Sequence, residues 1–441
     1  MANTRLDRTN GSPTNGQKGT FSTWVRLDKV GAQKIMINYL NSENYSYIRF
    51  HPSKFLQCYA TLSNSVVNNY KTERSFVDFN GWYHIVARID TTQATATDRL
   101  RLYVNGELQT AYDTQTYSGS QNAQHPILIA SATNTHRIGA DENPADYFSG
   151  LMSHFHFCDG YSYDASAFGE TDATTGEWKI KTDVSVTCGN NGYFILKDGN
   201  SVTDQSGNSN NFTVTGGTLT KTESSPSNVF ATFNPLLDVN ATPTFSNGNN
   251  TFVGTGSTNF AGSSIAVSSG KWYVEFKATT VSGSYPIIGV IDAQSTKRRD
   301  GTFFVGADID TDNPSGFAVF SNGDIYHNNS NSYGNLTTTY TSGDVIGMAL
   351  NMDSATKTLA FYKNGTLETT INLDEPPSGA YMFASGTHSS HSGIKLEANY
   401  GNGYFGTTAV SSAGTNASNN GIFEYDVPTG YTALSTRGLN T

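Results

Sequence analysis

The side chains able to do chemistry in this 441-residue sequence fall into small clusters. Acidic residues gather twice: Asp141, Glu142 and Asp146 in GADENPADYF, and Asp308, Asp310 and Asp312 in DIDTDN. Carboxylates grouped this way suit a hard cation such as calcium. The second cluster departs from the EF-hand loop, with Asn313 where Gly is required and Val319 where the bidentate Glu belongs. It reads as a solvated strand and turn. His154 and His156 alternate with Met152 and Cys158 in LMSHFHFCDG, a set whose softness would suit a transition metal. Successive same-face positions on one strand lie ~7 Å apart, too far for one tight site. Packed, hydrogen-bonded histidines are therefore the expectation. His388 and His391 sit in a loop-like THSSHSG. Aromatics in turn-rich stretches remain: Tyr285, Tyr326 with His327, Tyr333 and the Tyr112–Tyr117 region. A ring face flanked by Asn and Asp is the chemistry of sugar recognition on loops, although tyrosine is frequent in any β protein. No nucleophile elbow, P-loop, dinucleotide fingerprint or zinc-type Cys/His spacing occurs. Cys58, Cys158 and Cys188 are too few, and odd in number, for a disulfide framework. They fit folding in a reducing cytosol, even for a protein that acts elsewhere.

Strands must position these residues. Charged residues make up 15% and hydrophobic ones 36%, with 43 glycines, which describes a turn-rich polar surface rather than a helical one. No long stretch holds a 3.6-residue period. The 25 Phe, 24 Tyr and 4 Trp supply enough apolar area for cores, so global disorder is not expected. At this length two to three domains are expected. A net charge of −10, with no basic cluster longer than Lys297-Arg298-Arg299, argues against nucleic-acid binding. No apolar run approaches the ~18 residues of a membrane helix, and MANTRLDRTNGS lacks the apolar core of a secretion signal.

One device occurs twice. In GDVIGMALNMDSATKTLAFYKNG, Ile346, Met348, Leu350 and Met352 share one strand face, Val345, Gly347 and Ala349 the other, and a second strand ends at Asn364-Gly365. Asn-Gly takes φ > 0 readily and is a frequent hairpin turn. WYHIVARIDTTQATATDRLRLYVNG repeats the plan and ends at Asn105-Gly106. Two copies far apart imply two related sandwiches in tandem, and short strands bounded by turns throughout imply jelly rolls. The boundaries expected are 1–221 for the first sandwich with a turn-rich extension, 222–239 for a linker, 240–406 for the second sandwich and 407–441 for a docked tail. An edge strand is expected around Thr4 to Arg8.

FSTWVRL, NGWYHIVARID, LRLYVNGEL and HRIGAD…YFSGLMSHFHF follow one another across about residues 4–160. This order resembles a laminin-G-like, concanavalin A-like domain. GKWYVEFKAT, PIIGVID, GDVIGMALN, FYKNG and NYGNGYF, across about 240–406, resemble a SPRY domain. The fold implied is all-β, two tandem jelly-roll or concanavalin-like sandwiches. The pairing itself, with FGETD…GEW, FNPL and the ending FEYDVPTGYTAL, resembles uncharacterised virion proteins of tailed bacteriophages. That resemblance implies a protein made in the host cytoplasm and carried on the virion surface, with other virion proteins as partners. Its expected role is non-catalytic binding of a host-surface glycan or protein, as in a tail fibre; capsid decoration with a mainly structural role is the alternative. Virion fibres are often homotrimers, and with no heptad or collagen-like stem here, globular faces would have to make the trimer. Relatives of this shape often hold calcium on rim loops, which points to Asp141, Glu142 and Asp146. Some are glycosidases, but their paired acids on one strand have no match here, so no enzyme activity is expected. The ligand residues implied are Tyr285, Tyr326, His327, Tyr333, His388 and His391.

Overall fold

The structure is a computed structural model. It describes residues 3–128, 135–143, 145–197, 201–237, 243–255, 259–281, 286–294, 316–328, 330–376, 378–387 and 392–439. Two units divide the chain, Met1–Lys221 and Thr222–Thr441. Each is built on two large sheets.

The first unit contains β1 (Arg5–Thr9), β2 (Lys18–Leu27), β3 (Gln33–Asn41), β4 (Asn44–Phe50), β5 (Leu56–Leu62), β6 (Ser65–Thr72), β7 (Tyr83–Asp90) and β8 (Leu100–Val104). It continues through β9 (Glu107–Leu108), β10 (Tyr112–Tyr117), β11 (Thr135–Ile138), β12 (Gly150–Asp159), β13 (Gly169–Thr171), β14 (Trp178–Ile180), β15 (Tyr193–Ile195) and β16 (Thr213–Gly216). An eight-stranded sheet has the order β10-β6-β5-β4-β3-β11-β1-β16, and a six-stranded sheet β15-β12-β2-β7-β8-β9. Period-2 alternation decides which side chains enter the core. Phe21, Val25 and Leu27 of β2 do so, and Ile48, Phe50, Leu56 and Cys58 join them from β4 and β5. Burying such an aliphatic or aromatic side chain is worth about 2 kcal/mol. Trp24 leaves the core side and stacks on His84, centroids 4.7 Å apart. The expected edge strand is not at an edge: β16, drawn from the turn-rich extension, pairs with the outer side of β1.

Among the bulges of this unit, two change which faces the side chains take. One between Lys34 and Met36 lets Ile35 and Met36 both enter the core. The other lies between Ser153 and His156, with His154 at φ 50°. It overturns the expectation that Met152, His154, His156 and Cys158 share a face. Met152 packs on the central core, whereas Cys158 lies in a separate cluster with Phe168 and Tyr103 on the sheet's other face. His156 is buried and stacked on Phe194 at 3.8 Å.

The second unit contains β17 (Thr244–Ser246), β18 (Thr251–Thr255), β19 (Asn259–Gly262), β20 (Lys271–Thr280), β21 (Pro286–Asp292), β22 (Gly316–Phe320), β23 (Asp324–His327) and β24 (Ser330–Asn335). After them come β25 (Val345–Asn351), β26 (Lys357–Lys363), β27 (Thr366–Leu373), β28 (Tyr381–Thr387), β29 (Ser392–Asn399), β30 (Tyr404–Phe405), β31 (Thr408–Ala409) and β32 (Thr432–Ala433). One sheet runs β17-β18-β29-β20-β25-β26-β27, with β32 added parallel to β20, and the other runs β19-β28-β21-β22-β23-β24. Ile346, Met348, Leu350 and Met352 enter its core beside Trp272, Val274 and Phe276. Gly347 is required on the opposite face, because a Cβ there would meet the Tyr273 hydroxyl at 2.6 Å.

The twice-used device folds the same way in both units. Asn105 and Gly106 have φ 49° and 81°, and Asn364 and Gly365 have φ 48° and 82°. The Asn105 amide donates to His84 O at 2.9 Å, and its Oδ1 accepts from the His84 amide at 2.7 Å. Asn364 makes the same two bonds to Val345, at 2.8 and 2.9 Å.

The stretch expected as a linker is partly core. Phe230, Ala231 and Phe233 pack inside the second unit, since aromatic side chains at that spacing gain more from burial than a linker would leave them. The tail contributes Phe423, Val427, Ala433 and Leu434 to the same core. Buried Glu275 of β20 fastens it by accepting the amides of Glu424 and Tyr425, both at 2.9 Å. Asn399 and the Tyr273 hydroxyl also donate to this carboxylate.

Candidate functional site

The sequences of β4, NYSYIRF, and β5, LQCYATL, alternate cleanly. Ile48, Phe50, Leu56 and Cys58 turn inward, so Tyr45, Tyr47, Arg49, Gln57, Tyr59 and Thr61 occupy the outer face of the eight-stranded sheet. Register sets Tyr47 opposite Tyr59 and Arg49 opposite Gln57. The three tyrosine rings form one array, with centroids 6.2 Å (Tyr45–Tyr47), 5.2 Å (Tyr47–Tyr59) and 5.9 Å (Tyr45–Tyr59) apart. Tyr47, 8% exposed, is its floor; Tyr45 and Tyr59 are half-buried.

Polar groups fix this array. Buried Gln57 accepts from Arg49 Nε at 2.9 Å and donates to Asn69 Oδ1 at 2.8 Å. Lys34 Nζ lies 3.5 Å from the Tyr47 ring centroid, and the Arg49 guanidinium carbon 4.9 Å from it. Desolvation strengthens such cation–π contacts. Burial raises the Tyr45 hydroxyl above its usual range, and the neighbouring Tyr59 adds to this.

The loop after β11 rims the array and carries Asp141, Glu142 and Asp146. Lys34 pairs with Asp141 at 3.0 Å, and Arg49 approaches Asp146 at 3.9 Å. Arg137 holds the loop backbone by donating to the carbonyls of Asp141 (2.8 Å) and Glu142 (2.5 Å). Burial would raise Asp141, but its hydrogen bond to Glu142 and the Lys34 charge outweigh that and hold it low. Burial and the same bond push Glu142 up to about 7. These residues do not fit a calcium ion. Their counter-charges are lysine and arginine, two loop carbonyls are taken by Arg137, and among the described residues no three acidic, His or Cys side chains converge on a metal position. The Asp308, Asp310 and Asp312 cluster lies outside the described residues.

Of the expected ligand residues in the second unit, Tyr326, His327 and Tyr333 are described. Tyr285, His388 and His391 lie outside the described residues. Tyr326 and His327 are successive on β23 and so face opposite ways. Tyr326 stacks near Phe320, 4.3 Å away, in the small cluster on the outer side of its sheet. His327 is buried and stacked on Phe317 at 3.9 Å, with Nδ1 against Gly316 O and Nε2 3.1 Å from Asp374. Tyr333 meets the edge of His327 at 4.9 Å and donates to Asn372 O. His327 is thus a packed, paired histidine. Sequence reasoning looked for aromatics in turn-rich stretches and missed Tyr45, Tyr47 and Tyr59; the Y-x-Y-x-R alternation of β4 was the available signal.

Residues 3–166 match the family model described as the concanavalin A-like lectin/glucanases superfamily. Among solved structures, the chain is similar to the SPRY domain of human HERC1, at 21% identity and a TM-score of 0.29, over 38% of this chain and 96% of that one. It is similar to the TRIM65 PSpry domain at 17% identity and a TM-score of 0.29, over 38% and 88%. The native heptameric SAP-like pentraxin from Limulus polyphemus gives 14% identity and a TM-score of 0.29, over 42% and 90%. No curated protein matches the chain.

Proposed function

We propose that this chain is a non-catalytic binding protein that holds a glycan on the outer face of the eight-stranded sheet of its first unit. The observation that carries this reading is the Tyr45–Tyr47–Tyr59 array. Its Tyr47 ring is held by Lys34 and the array is flanked by amide, guanidinium and carboxyl groups. Apolar ring surface beside pre-placed hydrogen-bonding groups suits the apolar faces and hydroxyl edges of a sugar, and prior fixation reduces the ordering cost on binding. The match of residues 3–166 to a lectin-containing superfamily supports a binding role. The resemblance of the inter-unit joints and the FEYDVPTGYTAL ending to tailed-phage proteins supports a setting on the virion surface, with a host-surface glycan as receptor.

Labelled protein is to be bound to intact candidate host bacteria, before and after periodate oxidation of the cells. Saturable binding that periodate abolishes, and that Tyr59→Ala and Tyr45→Ala each weaken about tenfold or more, is the expected result. Binding untouched by both tyrosine variants would overturn the assignment of this face.

A further inference from the structure

A cleft of about 680 Å³ opens at the other end of the same sheet, between β1, β11 and the stretch leading into β16. Its lining is polar throughout, including Thr9, Thr135, Arg137, Asn210 and Thr213. Strand register puts cleft and tyrosines on one face of the sheet. A single cross-strand row runs Thr213, Asp7, Arg137, Ile37, Tyr47, Tyr59 and Asn69. A second row runs Thr9, Thr135, Tyr39, Tyr45 and Thr61. Neighbouring strands are about 4.8 Å apart, so Asp7 and Tyr59, four strands apart, stand about 19 Å from each other.

The ground between them is built. Arg137 lies between the two ends, pairing with both carboxylate oxygens of Asp7 at 2.6 and 3.2 Å while it grips the Asp141–Glu142 loop. Thr215 closes the Asp7 side by donating to Oδ2 at 2.7 Å. Arg8 is held by the amide oxygens of Asn10 and Asn210. Thr9 and Thr213 are exposed, and Thr135 half-exposed. A cleft lined only by polar residues offers little to an apolar ligand and much to hydroxyls.

Resting on the glycan reading above, we infer that the ligand is a linear oligosaccharide laid across the strands. Its units stack at Tyr45 and Tyr59 and its chain continues over Arg137 into the Thr9–Thr135–Asn210 cleft. A monosaccharide would occupy only one end, so affinity depends on chain length.

The test uses the full chain and size-fractionated oligosaccharides released from the surface polysaccharide of the bacterium it binds, as monomer, dimer and longer fractions, by calorimetry. Affinity is expected to rise at least about tenfold from dimer to the long fractions. The Thr9→Val/Thr135→Val variant keeps shape and strand propensity. It is expected to weaken long fractions about tenfold, the worth of one or two hydrogen bonds, and to leave the dimer unchanged. Tyr59→Ala weakens every fraction. Affinity independent of length, or a threonine variant that binds long fractions like wild type while Tyr59→Ala still loses them, overturns the extended site and leaves the tyrosine site standing. Loss in neither variant overturns the glycan site itself. Unchanged thermal melting of the threonine variant confirms that binding, not folding, is read.

Discussion

The ammonium nitrogen of Lys34 lies 3.0 Å from a carboxylate oxygen of Asp141. Both are largely withdrawn from solvent, with side chains 4% and 19% exposed. The pair joins the rim loop to the floor of the tyrosine array, since the same ammonium caps the Tyr47 ring. It also supplies the positive charge that a metal would otherwise bring.

Calcium titrated into the wild-type protein and into the Asp141→Asn/Asp146→Asn variant is therefore expected to give the same isotherm. A binding event that the variant loses would make the loop a metal site after all. Lys34→Met strands Asp141 without its cation and is expected to cost about 2 kcal/mol in urea unfolding. A change below about 0.5 kcal/mol would show the pair to be as weak as an exposed one.

Glu275 gives the second unit a dependence on pH. Burial pushes its carboxyl up to about 7 from 4.5, against the pull of the Glu424 and Tyr425 amides. The folded state then holds a proton that the unfolded state releases, so stability is full below about pH 4.5 and falls as pH rises through about 7. The loss is of order 3 kcal/mol for a group so deeply buried. Glu142, also raised to about 7, titrates in the same window, so the variant difference is what isolates Glu275. Glu275→Gln is expected to be less stable at low pH, because one acceptor is lost, but to remove most of the slope between those pH values. A variant whose urea midpoint tracks the wild type across that range would sink the assignment.

Trp178 and His84 make a third test. Trp178 Nε1–H donates to His84 Nδ1 at 3.0 Å, and indole is a donor only, so the imidazole proton sits on Nε2, 2.8 Å from Ser22 Oγ. Burial pulls His84 down to about 3. Its imidazole resonances are expected not to titrate above about pH 4, whereas an exposed histidine changes near 6.5. Trp178→Phe removes only the donor and should cost about 1 kcal/mol. A His84 that titrates near neutrality would contradict its burial.

The three thiols are free and differ in burial. A hydrogen bond from Cys158 lowers the half-buried Cys188 and raises Cys158, while burial pushes Cys58 up to about 12. Alkylation of the native protein at neutral pH should label Cys188 first, with Cys58 and Cys158 following only on unfolding. Peptide mass spectrometry reads the order, and native labelling of Cys58 would refute it.

Much of the fold is local and was therefore open to reading. Alternation in β25 put Ile346, Met348, Leu350 and Met352 on one face, and Asn105-Gly106 and Asn364-Gly365 named their turns, because φ > 0 is a property of those two residues themselves. The bulge at His154 was not open to reading. One inserted residue leaves the composition unchanged yet reverses the face of everything before it. Phe230 and Phe233 fall inside the 222–239 stretch expected as a linker, whereas their burial depends on strands far along the chain.

The sequence by itself determined two all-β units, their turns and the alternation that turns Tyr45, Tyr47 and Tyr59 to one side. Only the tertiary structure decided what that side adjoins. It inserted β11 between β3 and β1, and thereby set Arg137 and the acidic loop beside tyrosines about ninety residues earlier. Alternation follows from the backbone of a single strand, but strand order follows from the burial and pairing energy of the whole sheet. No short stretch of sequence contains that sum.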